Sequence, residues 1–358
     1  MSGRGGGGGV PRLCRLGHSR GIARGVVELT QSLPRSARLA LKAATVVALT
    51  GGLALALVGC SSPETAADQP VVIGQPTRLP TYAQVAQAQS ARVADLQRVW
   101  ASTTAIVTYQ DQDGQVRTEQ AEGYLQIVQP SRVALSLGKQ ITSEVYFYLG
   151  ANQEQYWWLD RLDPNRSIGY VGTHAMATPA RAAKFGAPVH PLDLLDLLGI
   201  TALPEAAEVG RGTLVGGGSD QTIPEGARVG WSPDGGSVVV DVAGRFGTRR
   251  MWFDPASLKP RRVEMLDERG RVAVYSVLTR DVLVSVRGDS RRRPFMASEV
   301  EVMIPGTPTS VRLRLDRLEN REIRNAPFDL DGLLRAYPVE RIEDLDEWEP
   351  PRREGDQG

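Results

Sequence analysis

Between Thr103 and Leu318 the chain is built from short segments of alternating apolar and polar residues, separated by turn signals and only once by a helical pattern. Thr104-Ala105-Ile106-Val107-Thr108-Tyr109 is rich in β-formers, and Asp113-Gly114 follows as a hairpin signal. Residues 123–128, 132–137, 143–149, 155–159 and 167–171 continue the pattern, with turns at Pro130-Ser131, Gly150-Ala151-Asn152 and Asp163-Pro164-Asn165. It resumes at 227–231, 237–242, 248–253, 261–266, 272–278, 296–304 and 310–318. Connections this short leave no room for parallel crossovers, so the strands must pair antiparallel. A sheet of about a dozen strands has to curl or split.

Two helical patterns accompany the strands. Thr81 can cap a helix with Gln84 as its capping-box partner, and Val85, Ala88, Val93, Leu96, Val99 and Trp100 recur at roughly helical spacing. This predicts a helix of about five turns over 81–100. The second is His190-Pro191-Leu192-Asp193-Leu194-Leu195-Asp196-Leu197-Leu198-Gly199, with Pro near its start and Gly after its end. Only Asp193 and Asp196 interrupt its leucines, so it calls for apolar contact around most of its circumference. Residues 205–225 are Gly-rich and irregular, and 331–358 form an acidic, Pro-bounded tail with a short helical stretch at 330–337. Trp231-Ser232-Pro233-Asp234-Gly235 resembles a propeller-blade turn, but a propeller needs that turn in every blade and it occurs once.

The first 59 residues read as a signal peptide with an extended n-region. Arg35, Arg38 and Lys42 precede an apolar run from Ala43 to Val58, too short for a confident membrane-spanning helix. Leu57-Val58-Gly59-Cys60 then forms a lipobox, in which the Cys60 thiol would take diacylglycerol and become the first residue. Acyl chains anchor at about 0.8 kcal/mol per buried methylene, and two or more hold stably. Residues 60–80 have the composition of a flexible tether. Ser61 and Ser62 rather than Asp after the cysteine favour the outer membrane, by resemblance to Gram-negative lipoproteins. The expectation is a protein held in the cell envelope through Cys60, facing the periplasm, as a monomer.

Cleavage changes the charge balance. Residues 1–42 hold eight basic side chains and one acid, which leaves 34 basic and 40 acidic residues beyond them. A mildly acidic body does not supply the concentrated basic face that nucleic acids need. Cys14 is lost with the leader, and His174 and His190 are the two histidines that remain, so no Cys/His zinc site or intrachain disulfide can be assembled. No G-x-S-x-G, H-E-x-x-H or phosphate-cradling loop occurs. Gly216-Gly217-Gly218 reads as a loop. His174 and His190 are either surface or capping residues, or acid–base partners of Asp193 or Asp196. Arg291-Arg292-Arg293 reads as a solvated loop or a contact for anionic head groups. Neither a catalytic residue, a metal site nor a cofactor is expected.

The aromatics are unevenly spread. Alternation places Val145, Phe147 and Leu149 on one face of their strand and Tyr146 and Tyr148 on the other. It sets Trp157 and Leu159 opposite Tyr156 and Trp158. A strand pair bulky on both faces needs cover on both sides, or a cavity on one.

Four stretches together resemble the outer-membrane lipoprotein carrier superfamily, which includes the LolA, LolB and RseB-like modules. Residues 123–132 look like its second and third strands, and Tyr156-Trp157-Trp158-Leu159 like the aromatic strand that follows. Residues 251–263 with 267–270 look like its late hairpin, and Ile323-Arg324-Asn325-Ala326-Pro327-Phe328 like its closing strand. The likeness spans about 81–330, with 205–225 as an insertion. It implies a mainly β fold with a few helices, in which a strongly curved antiparallel sheet forms a half-open barrel around an amphipathic helix. It also implies an apolar cavity for acyl chains of a lipid or a lipidated protein, serving lipoprotein or lipid trafficking. Phe147, Trp157, Leu194, Leu198 and Trp252 are the candidate lining residues. The alternative is a non-enzymatic envelope sensor or structural module with a filled core that binds a protein partner.

Overall fold

The computed structural model describes residues 78–110, 114–139, 144–162, 166–185, 189–205, 226–289, 291 and 293–349. The leader, Leu57, Val58, Gly59, Cys60, the tether as far as residue 77 and the inserted stretch 206–225 lie outside them, as does Arg292.

Helix α1 spans Tyr82–Val93 and opens on the expected capping box: Thr81 Oγ1 accepts from Gln84 N–H, and the Gln84 side chain accepts from Thr81 N–H. It ends earlier than its apolar spacing predicts. From Arg98 the chain is strand β1, Arg98–Gln110, and Val99 and Trp100 pair with Ile127 and Gln126. The β-branched run around Thr103 and Thr104 continues into a long ladder, and that pairing overrides the helical period of its first residues.

Strands β2 (Val116–Val128), β3 (Arg132–Lys139), β4 (Glu144–Ala151), β5 (Gln155–Asp160) and β6 (Ile168–Thr173) follow as a meander. Two short helices interrupt it, α2 (Pro179–Ala182) and α3 (Asp193–Leu197). The second half comprises β7 (Arg228–Trp231), β8 (Val238–Gly244), β9 (Gly247–Phe253), β10 (Pro260–Leu266), β11 (Val272–Leu283), the two-residue β12 (Ser285–Val286), β13 (Phe295–Met303) and β14 (Ser310–Asn320). Helix α4 (Leu330–Ala336) and strand β15 (Arg341–Asp344) close the described chain.

These strands make one sheet in the order β15-β6-β5-β4-β3-β2-β1-β14-β13-β11-β10-β9-β8-β7. The pairings are antiparallel along this path except that β15 runs parallel to β6; β12, off the path, runs parallel to β14. The sheet is strongly curved and does not close into a barrel. Its curvature brings Tyr156 and Trp158 of β5 and Val229 of β7 into one core with Tyr82, Val85 and Val93 of α1. The expected curved sheet around an amphipathic helix is therefore present.

The convex face carries a second core. Ala134, Tyr148, Trp157 and Leu159 pack there against Phe328, Leu330 and Leu333. Gly150 makes room for it, since a Cβ at that position would lie 2.5 Å from the Trp157 ring. The bulky strand pair is thus covered on both sides, as its alternation requires. The cover comes from residues expected elsewhere. Residues 323–328 do not form a closing strand: Pro327 lacks an N–H for a ladder, and Ala326–Phe328 is a 3-10 turn. The sheet instead closes through β14 against β1. Beyond it, the expected acidic tail supplies α4 and the edge strand β15.

Candidate functional site

The concave side is occupied by residues 190–204. Among them only Asp193–Leu197 is α-helical. Leu192, Leu194, Leu195, Leu198, Ile200 and Leu203 are buried in the main core, while Leu197 packs with Met265 and Val274. The leucines are therefore covered on every side, as the sequence requires. Gly199 ends the helix at φ +67, where an L side chain is strained and a Cβ would also meet Leu278.

Buried backbone outside a helix or ladder needs other hydrogen-bond partners. Here side chains from the surrounding shell supply them. Ser276 Oγ donates to Leu197 C=O at 2.6 Å, and Gln89 Nε2 donates to both Gly199 C=O and Thr201 C=O. Gln129 Nε2 reaches Ile200 C=O at 2.9 Å, Arg249 reaches Ala202 C=O, and the Tyr82 hydroxyl reaches Pro204 C=O at 2.7 Å. Arg92 donates to Gly199 C=O as well. The leucine segment is thus held by its apolar side chains and by hooks from α1, β9, β11 and the β2–β3 turn.

Its two aspartates, one side of the helix in the sequence reading, face the β8–β9 hairpin. Asp196 accepts from Arg249 and from Thr201, and Arg249 also bonds Thr201. Asp193 is 2% exposed, accepts from His190 N–H at 3.0 Å and lies 3.4 Å from Arg245 Nε. Burial outweighs these partners and pushes the Asp193 carboxyl up to about 7.

Beside Asp193 the two histidines pair with each other rather than with an acid. His174 Nε2 lies 2.8 Å from Asn152 C=O, so it carries the proton and donates. His174 Nδ1 must then accept from His190 Nε2 at 3.2 Å, and His190 Nδ1 accepts from Leu192 N–H at 3.1 Å. The tautomers are fixed along the whole chain of bonds. Neither ring can gain a proton without setting two donors against each other. Burial, with Arg245 and His174 as smaller causes, lowers His190 to about 2, and burial lowers His174 too. Tyr156 packs on His190 with ring centroids 4.4 Å apart, and its hydroxyl is pushed up to about 12.

A hollow of about 540 Å³ opens here, lined by His174, Ala177, Asp196, Ala243, Gly244, Arg245, Phe246 and Arg249. It lies beside Asp196, in the middle of the leucine segment, and His174, Asp196, Arg245 and Arg249 give it a charged and polar lining. Among the described residues, no group of three His, Cys, Asp or Glu side chains converges, and no helix is long and apolar enough to cross a membrane.

Of the five candidate lining residues, the structure brings Leu194, Leu198 and Phe147 together in the concave core, Phe147 at its partly buried margin. Trp157 lies on the opposite face, sealed under the C-terminal segment. Trp252 also points away from the concave core, but apart from the C-terminal segment: its neighbours Met251 and Phe253 point inward, and Arg262 covers its ring at 5.7 Å. Tyr156 and Trp158 take the inward places instead. Strand alternation separates the two sets, but it does not say which set faces the helix. Arg245 and Arg249 gave no sequence signal, because an arginine in a hairpin is ordinary.

No family model matches the sequence, and no curated protein matches it. Among solved structures, the chain is similar to a domain assigned to outer membrane lipoprotein-sorting proteins, from Vibrio parahaemolyticus. Identity is 12%, the TM-score is 0.44, and the match covers 70% of this chain and 97% of that one. It is also similar to a LolA superfamily protein from Nitrosomonas europaea, at 9% identity and TM-score 0.39, over 69% of this chain and 98% of that one. A DUF1329 family protein from Desulfovibrio piger matches at 10% identity and TM-score 0.36, over 70% and 98%. At such values none of them assigns a function to this chain.

Proposed function

We propose that this chain is a non-enzymatic binding protein of the cell envelope that takes an acyl chain, from a lipid or a lipidated protein, on the concave side of its sheet. Acylated Cys60 tethers it to the outer membrane, facing the periplasm. The observation that carries the reading is the leucine segment 190–204. It fills the curve of the sheet with branched apolar side chains, yet its backbone from residue 197 onward is attached through side-chain hydrogen bonds to carbonyls. Such carbonyls can return to water when the segment moves. An acyl chain can then take the place of the leucines, with about 0.8 kcal/mol gained per methylene buried. Leu194, Leu198, Phe147, Tyr156 and Trp158 would meet it. A tethered protein of this kind receives or holds a lipid in lipoprotein or lipid trafficking and does not shuttle it.

The test uses a soluble form lacking the leader and Cys60, extracted for mass spectrometry and titrated with a fluorescent fatty acid. Stoichiometric co-purifying lipid, or saturable uptake of the probe, supports the reading. An empty protein that fails to take up the probe contradicts it and favours the filled-core module that binds a protein partner.

A further inference from the structure

A second hollow, of about 700 Å³, lies on the convex face and is unrelated to the leucine segment. It is lined by Trp100 and Ser102 of β1, Tyr124 and Gln126 of β2, and Asp316 and Arg317 of β14. The alternating residues of the same strands, Val99, Ala101, Leu125 and Leu315, belong to the concave core, so these six point outward. Elsewhere the convex face is covered by the C-terminal segment over β3, β4 and β5.

Three features show that this patch is built. The Trp100 and Tyr124 rings lie 5.5 Å apart, tilted by 31°. Arg321 covers Trp100 at 4.0 Å, and Tyr124 is left 44% exposed. The β1–β14 ladder shifts register between Trp100 and Ser102, and Arg317 sits in this irregularity at φ +52. A non-glycine residue in that conformation costs energy, and bulges of this kind re-aim side chains beside functional sites.

The chemistry of the lining selects among ligands. Asp316 and Arg317 bring one charge of each sign to the hollow, and Arg321 pairs with Glu319 at 3.4 Å. A balanced set of charges does not favour a phosphate head group or a polybasic segment. A rim of hydroxyl, amide, carboxylate and guanidinium does not suit an acyl chain. What fits is a ring with an apolar face for the aromatic platform and a polar edge for the rim. We propose that this hollow binds a neutral glycan, with a pyranose ring packed on Tyr124 and its hydroxyl or acetamido groups hydrogen-bonded to Asp316, Gln126, Ser102 and Arg317.

The test uses the full-length chain in a sugar-free zwitterionic detergent. It is titrated separately with chitotriose, cellotriose and maltotriose, following binding heat and tryptophan fluorescence. At least one should bind saturably, and Tyr124→Ala and Asp316→Asn should each weaken it by about tenfold or more. Unchanged near-ultraviolet dichroism away from the lost tyrosine contribution checks that the variants are folded. No saturable binding of any of the three sugars overturns the proposal, as does equal affinity in both variants. Tyr124-dependent binding to phosphatidylglycerol vesicles without sugar binding would make the face a membrane contact and also overturns it.

Discussion

His190 Nε2–H donates to His174 Nδ1 across 3.2 Å, and this bond ties the leucine segment to the β4–β5 hairpin, where His174 in turn donates to Asn152 C=O. Both rings are neutral by geometry. Asp193, which accepts from the His190 N–H, is raised by burial to about 7 and so changes protonation near neutral pH. Two titrating groups one turn apart therefore act on stability with opposite signs.

The His190 ring, lowered to about 2, leaves stability intact above its ordinary value near 6.5 and removes it as the pH falls below that. Asp193, raised to about 7, contributes stability that is present below the ordinary carboxylate value and lost as the pH rises through 7. Between about pH 4 and 6.5 the two slopes oppose, each at most about 1.4 kcal/mol per pH unit. His190→Gln should therefore become less stable with rising pH over that window, and Asp193→Asn more stable. Urea unfolding across the window measures both; identical pH profiles in the two variants would contradict the assignment.

Arg249 bonds Asp196, Thr201 and Ala202 C=O at once, so it is the main fastening of the segment toward β9. Arg249→Ala should cost about 3 kcal/mol, since it strands a half-buried carboxylate and a carbonyl. It should also raise amide exchange at 197–203 and speed uptake of an acyl probe. Exchange mass spectrometry reads the first effect and stopped-flow fluorescence the second.

Trp157 and Phe147 separate packing from binding. Trp157→Ala empties the convex core and should cost about 3–5 kcal/mol while leaving acyl affinity unchanged in the protein that remains folded. Phe147→Ala removes a side chain at the margin of the concave core, so it should cost less stability and weaken the acyl probe. Thermal melts with probe titrations on both variants check the contrast.

The anchor has its own test. Cys60→Ala should abolish incorporation of labelled palmitate in cells, and continued labelling would contradict the lipobox.

Much of the fold could be read from residue order. The capping box at Thr81 and Gln84, the antiparallel meander and the double-sided aromatic strands all follow from local rules. Reading failed where local signals competed with distant partners. Val99 and Trp100 continue a helical spacing, but pairing with Ile127 and Gln126 claims them for a strand. Strand β15 is four residues long with no usable period, and only the free edge of β6 gives it a place. The site was half legible. The leucine helix announced its need for burial on all sides, and strand alternation divided Trp157 from Trp158 correctly. Which set faced inward depended on the curvature of the sheet, which no segment of sequence expresses. The His174–His190 bond joins residues from either side of α2, and its geometry has no signature in spacing.

The account turns on an acyl chain entering where the leucines now sit. A palmitate analogue carrying a photoreactive diazirine, irradiated with the soluble form and mapped by peptide mass spectrometry, tests this most directly. The account predicts saturable adducts on residues 190–204 and on Phe147, Tyr156 or Trp158, competed by unlabelled palmitate. Adducts confined to the convex face, or none that palmitate competes, would contradict it.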